Sequence, residues 1–77
     1  MGQRRPVKRS LTLRGHRTSV SLEDIFWDTF RDCAEAEGET INGLAAKIDE
    51  ARGDLGRASA MRIFVLERAL AGHHLSE

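Results

Sequence analysis

One cysteine, one proline, no tyrosine and no long apolar run set the first limits on this 77-residue chain. With Cys33 alone, no disulfide can form within it. That matters because a chain this short buries only about 60 to 65% of the surface its unfolded form exposes. Its core needs a supplement, and oligomerisation or a structural metal are the usual remaining ones. Cys33 stands at helical spacing from Phe26, Phe30 and Ala34 and reads as a small core residue. No stretch is long enough to span a bilayer, and no apolar segment follows the charged start Met1 to Arg9, so a soluble cytoplasmic protein with no membrane partner is expected.

Site chemistry is scarce too. His73 and His74 adjoin each other and His16 lies far away, without the spacing of metal ligands, so neither a metal nor another cofactor is expected. The acidic pairs Glu23/Asp24 and Asp49/Glu50 occupy successive positions that do not share a face. No nucleophile with a base and no phosphate-binding glycine loop is present, which argues against an enzyme, and no small-molecule effector is evident.

What is present is segregated charge. The net charge is zero, yet Arg4, Arg5, Lys8, Arg9, Arg14 and Arg17 stand without an acid in residues 1–18, giving +6. The remaining six basic residues face all twelve acids, giving −6. A basic region on an acidic body suits contact with a polyanion.

Along the chain, Met1 to Arg9 holds the proline and four basic residues and reads as a flexible arm. Ser10 to Leu22 favours extended structure, but its apolar residues change parity, Leu11 and Leu13 being odd, Val20 and Leu22 even. One continuous strand cannot face all four inward. Gly15 and His16 sit where a bulge or turn could correct the phase, and Arg17 to Ser21 is the expected main strand. No later run alternates as strongly, so the expected neighbour of that strand is the same strand of a second copy.

Ser21 is the candidate N-cap of a first helix with Leu22, Phe26, Phe30, Cys33 and Ala34 as its stripe, ending at Gly38. Trp27 lies beside that stripe, at a helix or subunit boundary. Thr40 caps a second helix, with Ile41, Leu44, Ala45 and Ile48 apolar and Gly53 closing it. "ASAMRIFVLERALAG" reads as a third, apolar on so many sides that it needs cover from a second subunit.

The strand "RTSVSLE", the turn "AEAEGETINGL" and the aliphatic spacing after it resemble the ribbon-helix-helix DNA-binding proteins of the MetJ and Arc type. "KRSLTLRGHRTSVSLEDIFWDTF", "IDEARG" and "ASAMRIFVLE" are similar to a short bacterial subgroup with an extra C-terminal helix. The resemblance implies a mainly α fold with one short β-strand that pairs antiparallel across a homodimer, plus the third helix. It divides the chain into a flexible basic arm (1–9), a ribbon-helix-helix core (10–53) and a helix completing the dimer core (54–77).

It also implies a function, insertion of the paired strands into the major groove of double-stranded DNA by a transcriptional regulator, in the manner of a repressor. By its register Thr18, Val20 and Leu22 face the helices, and Arg17, Ser19 and Ser21 face the bases. Thr40, Ile41 and Asn42 at the second helix's N-terminus are expected to meet a phosphate, with Arg4, Arg5, Lys8, Arg9 and Arg14 adding phosphate contacts. Glu39 stands close to that phosphate and has to turn away. Val20, Leu22, Phe26, Phe30, Leu44, Ile48 and Phe64 form the expected dimer core. The alternative is a protein-interaction dimer or antitoxin-like module with little or no DNA role.

Overall fold

The computed structural model describes residues 4–75, with side chains as far as residue 72. The chain runs β1 (Val7–Leu13), β2 (His16–Leu22), α1 (Asp24–Ala36), α2 (Ile41–Ala51) and α3 (Arg57–Leu75). The first finding corrects the sequence reading. The strand has a neighbour within its own chain, because β1 and β2 pair antiparallel as a hairpin, from Val7 opposite Leu22 to Leu13 opposite His16. The fold therefore has two strands, and the latter part of the expected arm, Val7 to Arg9, belongs to β1.

The turn explains the parity change. Arg14 and Gly15 alone join the strands, and both are left-handed, at φ 53° and 82°, as the two central residues of a type I′ hairpin must be. In this register odd positions of β1 stand opposite even positions of β2. Leu11 and Leu13 thus share one face with Val20 and Leu22, and all four are buried. No bulge is needed.

Ser21 stays in β2, so it does not cap α1. The N-cap is Glu23, which makes no side-chain capping bond. The second helix starts as expected, with the Thr40 side chain accepting a hydrogen bond from the Gly43 N–H at 2.9 Å. Gly38 and Gly53, at φ 69° and 59°, follow the ends of α1 and α2.

The inner face of the hairpin packs on the helices. Phe30 and Ala34 of α1, Leu44 and Ala45 of α2, and Met61 and Val65 of α3 complete one core with the four strand residues. Phe30 is fully covered, its ring stacked 6.1 Å from Trp27 and edge-on to Phe64 at 6.3 Å. Of the residues expected in a dimer core, Val20, Leu22, Phe30 and Leu44 are buried within this one chain, while Phe26, Ile48 and Phe64 are half-buried. Ile63, Leu66 and Leu70 of α3 remain 45 to 58% exposed.

Candidate nucleic-acid interface

The same register that turns the odd residues of β1 inward sends its even ones outward. Lys8 stands opposite Ser21, Ser10 opposite Ser19, and Thr12 opposite Arg17. These six side chains form the outer face of the hairpin, two rows of hydroxyls with a cation near each end. Arg17, Ser19 and Ser21 point where the resemblance placed them, away from the helices. Ser10 and Thr12 were missed, although the alternation of Val7, Arg9, Leu11 and Leu13 was the signal that could have found them.

The α2 N-terminus adjoins this face. Asn42 Oδ1 accepts a hydrogen bond from the Thr12 main-chain N–H at 3.0 Å, fastening the first turn of α2 to the outer edge of β1. Lys8, Ser10, Thr12, Arg17, Ser19 and Asn42 consequently line one shallow hollow of about 450 Å³, and no acidic side chain lines it. The Gly43 N–H is taken by Thr40 Oγ1 and the Leu44 N–H by the Thr40 carbonyl. The N–H groups of Ile41 and Asn42 have no hydrogen-bond partner among the described residues, and the helix dipole adds partial positive charge there. A Cβ on Gly43 would lie 2.9 Å from Thr40 Oγ1 and 3.0 Å from Glu39 Oε1, so the missing side chain is what lets the cap close.

Glu39, the carboxylate next to the Thr40 cap in sequence, is paired with Lys47. The Glu39 hydrogen bond and charge in turn hold the Lys47 ammonium above its ordinary pKa. The acid is thereby neutralised beside the site.

The other basic residues separate. Arg4 and Arg5 are exposed ahead of β1. Arg14, on the turn, pairs with Glu50. Arg9 lies on the inner face of β1: its guanidinium pairs with Asp24, donates to the Leu22 carbonyl at 3.2 Å and lies 5.5 Å from the centre of the Trp27 ring. The structure thus takes Arg9 out of the row that Lys8 begins. His16 stands beside the turn, and the side chains of His73 and His74 lie outside the described residues. Among the described residues, no three His, Cys, Asp or Glu side chains are grouped to hold a metal, and no helix is long and apolar enough to cross a membrane.

The two edges of the hairpin differ. Leu13 and His16 close a two-residue turn, so the hydrogen-bonded pairs are those of Val7, Arg9, Leu11 and Leu13. The main-chain groups of Lys8, Ser10 and Thr12 therefore point off one edge, where α2 and Asn42 lie. Those of Arg17, Ser19 and Ser21 point off the other. There Arg62 reaches the Ser21 carbonyl at 3.5 Å, and no described residue hydrogen-bonds the outward main-chain groups of Arg17 or Ser19.

Compared with known proteins, residues 6–69 match the family model of the ribbon-helix-helix domain. No curated protein and no solved structure matches the chain.

Proposed function

Since the chain belongs to the ribbon-helix-helix family, whose members are generally DNA-binding transcription regulators, we propose that it binds double-stranded DNA as a homodimer and regulates transcription, in the manner of a cytoplasmic repressor. The observation that carries this reading is the shared hollow, in which a hydroxyl- and cation-bearing strand face meets an uncharged helix N-terminus. Arg17 can present two donors to guanine O6 and N7, and the Ser19 and Ser21 hydroxyls can donate or accept at base edges. Ile41 and Asn42 offer main-chain N–H groups to a phosphate beside the Thr40 cap. Arg4, Arg5, Lys8 and Arg14 add cations on the approach; Arg9 does not.

The dimer is proposed to form through the open edge of β2, which pairs with β2 of a second copy and brings two sets of Arg17, Ser19 and Ser21 onto one face. An unpaired strand edge is a template for such pairing. The uncovered Ile63, Leu66 and Leu70 give the same second copy an apolar surface to cover. The test is sizing followed by fluorescence anisotropy with duplex DNA across a salt series, on wild type and Arg17→Ala. A dimer whose salt-sensitive binding weakens in the variant supports the reading. A folded dimer that ignores duplex DNA at low salt shifts it to a protein-interaction role.

A further inference from the structure

We infer that the two strands divide the DNA contact between them: β2 faces the bases, while Lys8, Ser10 and Thr12 of β1 hold the phosphate backbones that wall the groove. This rests on the dimeric DNA reading above. Its starting observation is that β1 adds a second outward row beside the expected one, at one strand's distance and in a fixed register. Pairing through β2 then sets the strand order β1, β2, β2, β1 across the dimer. Neighbouring strands lie about 4.8 Å apart, so the two outer strands are separated by about 14 Å. The major groove is about 12 Å wide. The central pair fits inside it, and the outer strands overlie its walls.

Two further observations agree. Asn42 ties the Thr12 N–H to the first turn of α2, so β1 lies between the strand facing the bases and the helix terminus offered to a phosphate. A strand in that position spans the edge of the groove. The side chains suit the place: Lys8 is exposed and brings a compact charge, and Ser10 and Thr12 are exposed hydroxyls that can donate to phosphate oxygens. The forked donor matched to guanine, Arg17, is on β2.

The experiment compares wild type, the β1 variant Lys8→Gln/Ser10→Ala/Thr12→Val, and Arg17→Ala, by selection from a randomised duplex pool and by affinity against salt. Circular dichroism checks the fold, and Lys8→Gln alone serves if the triple variant unfolds. The β1 variant is expected to select the wild-type sequence and to lose affinity by the same factor on every duplex. Its log-log salt slope should be shallower by about 1.8 per dimer, as two lysines leave two phosphates. Arg17→Ala is expected to relax the selected sequence. A β1 variant that selects a different sequence overturns the division, since β1 would then be reading bases. An unchanged slope and affinity overturn it as well. A folded wild-type dimer that binds no duplex at low salt instead removes the DNA reading on which the division depends.

Discussion

Arg9 and Arg17 lie on adjacent strands of one hairpin and have opposite surroundings. Arg9 points inward, where its side chain is 16% exposed and meets Asp24, the Leu22 carbonyl and the Trp27 ring. Arg17 points outward, with no ion pair or hydrogen bond of its own side chain among the described residues, and lines both the hollow with Lys8 and Asn42 and a second one with Asp49 and Arg57. A basic segment read as composition treats the two as equivalent, but a side-chain period of two makes one structural and leaves the other available to a ligand. What the difference teaches is that charge on the inner face is matched by partners within the fold, and charge on the outer face is left for something else.

The largest effects should come from breaking the inner face on either strand. Leu22 is 0% and Leu11 3% exposed, and each truncation to alanine is expected to cost about 3 kcal/mol, most of the stability of a marginal domain. Urea unfolding measures this. If Leu11→Ala cost less than about 0.5 kcal/mol while Leu22→Ala unfolded the protein, β1 would be an appendage to the core.

Next in size is the exchange between the two arginines. Arg17→Ala is expected to weaken binding to the preferred duplex by about 1 to 3 kcal/mol, with thermal stability nearly unchanged. Arg9→Met should do the reverse. It loses the Asp24 pair and the bond to the Leu22 carbonyl, at about 1 to 2 kcal/mol of folding stability, and keeps the wild-type salt slope in DNA binding. A loss of duplex affinity for Arg9→Met as large as that for Arg17→Ala would mean that face does not sort the two residues.

Much of this arrangement was legible in the sequence because it follows from local rules. The two helices after the strand, the Thr40 cap and the glycines after α1 and α2 all depend on residues within a few positions of one another, and the outward register of Arg17, Ser19 and Ser21 came from the family resemblance. The hairpin was not read, though its trace was there in the parity change between Leu13 and Val20. Arg14-Gly15 lacks the asparagine or aspartate that usually signals a two-residue turn, and Arg14 has to enter the left-handed region to make it. The Lys47 pair that holds Glu39, the reach of Arg62 to Glu23 at 3.0 Å and the placing of Asn42 against β1 join residues far apart in the chain or on different turns. Nothing in spacing alone announces them.

The smallest expected effect tests how the inner face holds a polar group. Thr18, inward on β2, accepts a hydrogen bond from Arg57 at 3.0 Å, and Arg57 also donates to Asp49 at 2.9 Å, where Arg52 donates at 2.8 Å. Those bonds from Arg57 and then Arg52 hold the Asp49 carboxyl below its ordinary pKa. A carboxyl depressed on folding binds fewer protons in the native state than in the unfolded one over the intervening range. Its contribution is therefore present above the unfolded value of about 3.9 and is lost as the pH falls through the lower folded value. Wild type should be more stable than Asp49→Asn by a constant margin from neutral pH to about pH 5, with the margin shrinking below about pH 4. Urea midpoints at each pH give the margin directly. One as large at pH 3 as at pH 7 would show that the carboxyl's charge contributes nothing and that Asp49 acts only by its shape.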